Sequence, residues 1–238
     1  LSIVLGLLIG VGVGLLNGVL AGVIGLPDFI ATYAVGSITL GIKMLLSKGN
    51  PTNIPRDAGL PSLTFAIGQG RVNILGVEVP VPVLIMIVFC ILVVFILKKT
   101  PLGRRIYAIG GNKDGVHQEV ASQYSGINVK KYRVISFLFS GVFLAVASII
   151  QTSRLGSGQP LAGTDFLMDT IAAVYLSTTM FGEGEPTPEG TITGVFIITM
   201  LTNGMTMLGM QYYFQYITKG VIVILAVMMS IALGKKSK

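Results

Sequence analysis

The stretch VPVLIMIVFCILVVFIL, residues 81–97, carries neither a charge nor a glycine and stops against Lys98 and Lys99. A helix that crosses a bilayer needs about 20 mostly apolar residues, so this run followed by two cations reads as a membrane span that ends on a basic side. Working outward, six more runs have the same character: Leu1 to Leu26, Phe29 to Leu46, Val134 to Gln151, Phe166 to Phe181, Thr191 to Met210 and Ile217 to Leu233. Together the seven take most of the 238 residues and leave no room for a soluble domain. Composition agrees, with 52% of residues hydrophobic and only 11% charged, against about 25% charged in globular domains. The predicted fold class is an all-α polytopic bundle of seven spans, with residues 1–238 forming a single membrane domain.

The charges set the orientation. Seventeen Lys and Arg against ten Asp and Glu give +7, too few charges for the basic face that nucleic acid requires, so no nucleic-acid partner is expected. The cations cluster instead. Lys98, Lys99, Arg104, Arg105, Lys113, Lys130, Lys131 and Arg133 share the segment 98–133 against only Asp114 and Glu119, and Lys235, Lys236 and Lys238 close the chain. By the positive-inside rule both segments are cytoplasmic. Residues 47–80, 152–165 and 211–216 then face outward. With no tryptophan in the sequence, Tyr212, Tyr213 and Tyr216 are expected to anchor the outer interface, and Tyr107, Tyr124 and Tyr132 the inner one. Leu1 is not a methionine and no charged segment precedes the first apolar run, so the chain is read as lacking an N-terminal portion.

Gly6, Gly10, Gly14, Gly18 and Gly22 recur every fourth residue, and on a helix they form one ridge that another backbone can approach closely. Gly25 lies off it. Shorter small-residue ridges follow at Ser136 and Ser140, Gly141 and Ala145, and Gly190 and Gly194. Polar residues inside the apolar runs have two readings, interhelical hydrogen bonding or the lining of a polar pathway. Asn17, Thr178, Thr179 and Asn203 are the candidates for the pathway. Asp165 and Asp169, spaced i and i+4, are placed to complement a helix N-terminus. Lys219 and Arg154 fall near outer boundaries, where snorkelling avoids the roughly 2.5 to 3.5 kcal/mol of a cation at mid-bilayer.

No enzyme emerges. His117 and Cys90 are single, which leaves no catalytic triad and no histidine- or cysteine-based metal site. Cys90 reads as a small buried hydrophobe. The glycines at 10, 12 and 14 and at 182 and 184 neither follow a strand nor complete a dinucleotide loop. No P-loop pattern occurs, so any ATP that drives the protein is bound by another chain. In the outer segment 47–80, Arg71 to Val79 reads as a hairpin. The inner segment 98–133 is long for a helix connection, with short helical pieces at Arg104 to Ile109 and Val116 to Tyr124. Charge alone leaves two readings for it: a loop lying on anionic membrane lipid, or a docking element for a cytoplasmic partner.

Leu15, Leu16, Asn17 and Gly18, then Pro27, Phe29, Ile30, Ala31 and Thr32, then Gly103, Arg104, Tyr107, Ala108, Ile109, Gly110, Gly111 and Asn112, then Ser125, Gly126 and Ile127 resemble the permease subunits of bacterial ribose- and xylose-type ABC importers. Arg154, Leu155, Pro160, Ala162, Gly163, Ile171 to Val174, Gly190, Thr191, Asn203, Gly204, Leu208 and Gly209 continue the pattern in order. Ser177 and Thr178 depart from it, standing where a glycine pair is usual, and the stretch from Asn112 to Ser125 is longer than in the family.

The resemblance implies about ten spans in the intact protein and localisation in the bacterial cytoplasmic membrane. It implies a second permease subunit, either a homo- or a heterodimer, two cytoplasmic ABC ATPase subunits that hold the ATP and Mg, and an extracytoplasmic solute-binding protein. It makes 98–133 the coupling loop, with Gly103, Arg104, Arg105, Gly110, Gly111, Asn112, Ser125 and Gly126 meeting the ATPase. The expected cargo is a monosaccharide or related small polar solute. The alternatives are an amino-acid or nucleoside permease of the same superfamily, and a seven-span receptor.

Overall fold

The computed structural model describes residues 2–54, 61–74, 76–110, 121–180 and 186–236. Helix α1 (Ser2–Gly18) runs into a π-helical turn at Val19–Ile24 that ends at Gly25, whose φ of +86° is a left-handed conformation that only glycine adopts freely. After Pro27 the chain reverses into α2 (Asp28–Ser47). The outer segment holds the short strand β1 (Thr52–Asn53), helix α3 (Pro61–Gln69) and strands β2 (Arg71–Ile74) and β3 (Val77–Pro80). β2 and β3 form the expected antiparallel hairpin, with Arg71 opposite Pro80 and an Arg71–Glu78 ion pair at 2.9 Å. Helix α3, 9 residues long, was not expected.

Helix α4 (Val81–Lys99) takes in the whole charge-free run 81–97, and it meets α5 (Pro101–Gly110) at an elbow. Residues 121–124 form a further helical turn, and α6 (Val129–Leu155), β4 (Ser157–Gly158), α7 (Phe166–Met180), α8 (Pro188–Met207) and α9 (Tyr212–Lys236) complete the order. Among the described residues six helices are long and apolar enough to cross a membrane; the seventh apolar helix, α7, has 15 residues. The count of seven spans is thus six of full length and one short. The charged ends of several spans are helical too. α6 takes in Lys130, Lys131 and Arg133, because a helix can continue past the bilayer for as long as its side chains reach water.

The bundle is sorted by size in the sense lipid demands. Its buried apolar residues are mostly small, among them Ala21, Ala31, Ala145, Ala172, Ala173 and Ala226, while large side chains such as Phe29, Leu46, Ile91 and Phe196 are exposed. Lipid tails are as apolar as leucine, so association rests on close backbone approach. The glycine ridge of α1 lies along α6 and runs antiparallel to it. Gly6 faces Ile149, Gly14 faces Phe137 and Gly141, and Gly22 faces Lys130 and Val134. A Cβ on Gly14 would sit 2.7 Å from the Phe137 carbonyl oxygen. α4 is the opposite case, with no buried residue, and Cys90 within it is half-buried and free, where a buried position was expected.

Polar contacts divide the molecule into two ends. At one, Arg133 lies 3.5 Å from Asp28 and Lys98 2.5 Å from Glu189. At the other, β1 pairs with β4 (Thr52 opposite Gly158), Ile54 N–H donates to the Gly156 carbonyl at 3.0 Å, and Gln69 Nε2 donates to the Arg154 carbonyl at 3.2 Å. The first end collects the cations of α4, α5 and α6; the second holds the segments assigned to the outside. Arg154 is exposed at that second end.

Candidate functional site

The basic end is organised around α5. Leu102, Ile106 and Ile109 recur at helical spacing on one side, while Arg104 is exposed on the opposite side and Arg105 on the flank, the pattern of a helix lying on a surface rather than within a bundle. Its start is stiff. Thr100 Oγ1 donates to the Ile96 carbonyl at 2.6 Å and accepts from the Gly103 N–H at 3.3 Å. Gly103 is buried against the carbonyls of Ile96 and Leu97 with no room for a methyl group, so only glycine fits the elbow.

α5 is also bonded to the first turn of α6 and to the segment leading into it. Arg105 donates to the Tyr132 hydroxyl and its guanidinium lies 5.3 Å from the centre of that ring, a cation–π arrangement. Ser122 Oγ donates to the Ala108 carbonyl at 2.9 Å. Ser125 and Gly126 make the turn before α6. Ser125 bonds back to Ala121, Gly126 has a φ of +80°, and the Asn128 side chain caps α6 by accepting from Lys131 N–H at 3.1 Å. Gly110 is exposed at the end of α5. Gly111, Asn112, Lys113, His117 and most of the predicted helical piece from Val116 to Tyr124 lie outside the described residues.

Two cavities lie under α5. One of about 470 Å³ is lined by apolar side chains of α4, α5 and α6 with Ser136 and Ser140; the other, about 320 Å³, adds Asp28, Tyr132 and Arg133. Neither is lined by any of the four pathway candidates, which lie on three different helices. Asn17 lies on α1, and its Oδ1 is buried without a partner. The Thr178 and Thr179 hydroxyls donate to carbonyls of their own helix, those of Tyr175 and Leu176 at 2.7 and 2.8 Å. Asn203 is exposed on α8.

Ser177 has a different role. It is fully buried, and its Oγ both donates to the Thr187 carbonyl and accepts from the Thr187 N–H, each at 3.0 Å. Thr187 in turn caps α8 by accepting from the Gly190 N–H. The end of α7 and the start of α8 are thereby stapled together, with Gly194 close against the Ala173 backbone.

At the opposite end Lys219 does not snorkel. It is 8% exposed, and its ammonium lies 2.6 Å from Oδ1 of Asp169. Beside it the Tyr216 hydroxyl donates to Asp165 at 2.5 Å. The two aspartates therefore do more than complement the start of α7, for they tie it to α9. The partners are about fifty residues apart in sequence, and the available signal was that opposite charges occur at the same depth on two helices.

The chain matches the family model described as the branched-chain amino acid transport system / permease component over residues 1–229. It is 40% identical over 232 residues to the ribose import permease protein RbsC of Haemophilus influenzae, covering 97% of this chain and 68% of that protein. It is 37% identical over 224 residues to the protein of the same name from Escherichia coli K12, covering 93% and 66% respectively. Against the xylose transport system permease protein XylH of Haemophilus influenzae it is 42% identical over 158 residues, 66% of this chain and 40% of that one. The chain thus spans about two thirds of the length of the ribose permeases it matches. No solved structure matches. With the family model covering nearly all of the chain and six helices able to span a bilayer, this multi-pass cell-membrane protein belongs to the branched-chain amino acid transport system / permease component family.

Proposed function

We propose that the chain is the membrane permease of an ATP-driven importer whose cargo is a monosaccharide of the ribose or xylose class. The observation that carries this reading is α5, an amphipathic helix at the cation-rich end with Arg104 and Arg105 exposed, held stiffly to α4 by Gly103 and Thr100 and bonded to α6 through Tyr132. Such a helix offers a cytoplasmic ATPase a positively charged handle connected to two spans. ATP and Mg are bound by that ATPase, and an extracytoplasmic binding protein and a second permease subunit complete the assembly. ATP binding would close the ATPase dimer, α5 would carry the motion into the bundle, and the bundle would open alternately to its two sides. The names of the relatives at 37 to 40% identity favour ribose. The family description favours a branched-chain amino acid as the second reading. Family membership sets aside the seven-span receptor.

The deciding experiment is uptake of labelled ribose, xylose and leucine in cells whose own permeases for these solutes are deleted, with the intact protein and its ATPase supplied. Ribose or xylose uptake that requires both proteins supports the reading; leucine uptake alone transfers it to the second. The docking part is tested by Arg104→Glu, which reverses an exposed charge without touching the Arg105–Tyr132 contact. Co-purification of the ATPase should fall about tenfold, as expected for a charge at an interface rim turned from attractive to repulsive. Unchanged co-purification in neutral-lipid nanodiscs would leave α5 as a membrane-surface element.

A further inference from the structure

The Lys98–Glu189 contact is the only ion pair among the described residues that joins two groups of helices which otherwise barely touch. Helices α1 to α6 pack on one another as one group, and α7, α8 and α9 as another; the main contact between the groups is a limited one of α4 on α8. We infer, building on the importer reading, that Lys98 and Glu189 are positioning residues through which displacement of α5 reaches the α7–α9 group.

Both ends of the pair sit on stiff corners. Lys98 is two residues before Thr100, inside the elbow that Gly103 and the Thr100 hydroxyl hold closed, so α5 cannot shift without carrying the last turn of α4 with it. Glu189 follows Thr187, which caps α8 and is bonded in both directions to Ser177 of α7. A force on Glu189 is therefore applied to α7 and α8 together, and through Asp169–Lys219 to α9. With side chains 51% and 40% exposed, the pair contributes little to stability as a surface ion pair. A link of this kind gives direction to a motion more than it holds a fold.

Charge reversal separates transmission from folding. In vesicles holding the intact protein, its ATPase and its solute-binding protein, Lys98→Glu or Glu189→Lys should lower solute moved per ATP at least about fivefold while ATPase recruitment stays within about twofold; the double reversal should restore the ratio to within about twofold. If the reversals fail to insert, Lys98→Gln and Glu189→Gln should each lower the ratio about threefold. A ratio unmoved by the single variants, or not restored by the double, overturns the inference. In a Cys90→Ala background, cysteines at 98 and 189 joined by a short crosslinker should keep uptake, since a linkage that transmits motion can be made permanent; loss of uptake on joining would show a gate that has to part. If the unaltered protein recruits no ATPase, the importer reading falls. If it recruits and transports while the reversals leave the ratio intact, only the present inference falls.

Discussion

Lys219 and Asp169 form an ion pair at 2.6 Å that joins the second turn of α9 to the first turn of α7, with the lysine almost wholly inside the bundle. Removing one member leaves the other charge uncompensated. Lys219→Met should destabilise the protein by about 2 kcal/mol, below the roughly 3–5 kcal/mol of a fully buried pair because the Asp169 side chain is 29% exposed. Lys219→Met combined with Asp169→Leu should recover at least half of the loss. Thermal unfolding in detergent measures both, and equal losses in the single and double variants would mean the pair is not coupled.

The contact of α1 with α6 depends on the absence of side chains. Gly14→Leu would place atoms 2.7 Å from the Phe137 carbonyl and 3.1 Å from the Gly141 Cα, both backbone atoms that cannot turn aside. A loss of about 3 kcal/mol is expected, at the upper end of overpacking costs, seen as a collapse in monodisperse yield. Gly12 is the proper control. It has nothing within 4 Å of a built Cβ, and Gly12→Leu should leave the yield unchanged. Gly25, off the ridge and in open space, is unsuitable because its φ of +86° strains any other residue.

Ser177→Ala removes a fully buried hydroxyl that serves both polar groups of the Thr187 backbone. The expected cost is about 2 kcal/mol. Hydrogen exchange should rise at the amides of Thr187, Glu189 and Gly190 and stay unchanged in α1 and α6. Uniform exchange across the protein would contradict a local staple.

Orientation is testable at exposed sites on opposite ends. In a Cys90→Ala background, Tyr124→Cys, at a position 89% exposed near α5, should be protected from an impermeant thiol reagent added to intact cells, and Asn53→Cys on β1 should react. The reverse result inverts the assignment of the ends.

The apolar runs were legible because a bilayer imposes one length and one composition on every span, and the hairpin at Arg71 to Val79 because alternating short strands flank a glycine. The helix ends were not legible. Val129 to Arg133 reads as loop by charge, yet water outside the membrane tolerates a cationic helical turn. The Asp169–Lys219 pair and the Ser177–Thr187 staple escaped because each is decided by which helices become neighbours, and a periodic pattern on one helix does not name the helix opposite. Within residues 98–133, Gly103 is legible as part of a family-like pattern, but its reason, the carbonyls of Ile96 and Leu97 pressed against it, belongs to the elbow.

Helix α7 has 15 residues, about 22 Å at 1.5 Å per residue, against a hydrocarbon slab of about 30 Å. Its end is pinned to the start of α8 by Ser177, so the shortfall of roughly 8 Å falls at the other end, where Asp165, Asp169, Tyr216 and Lys219 gather. A bilayer around the protein would have to thin and admit water there, since hydrocarbon cannot close over an ion pair and an exposed carboxylate. The polar groups at that end of α7 would stay hydrated through about a quarter of the slab's depth.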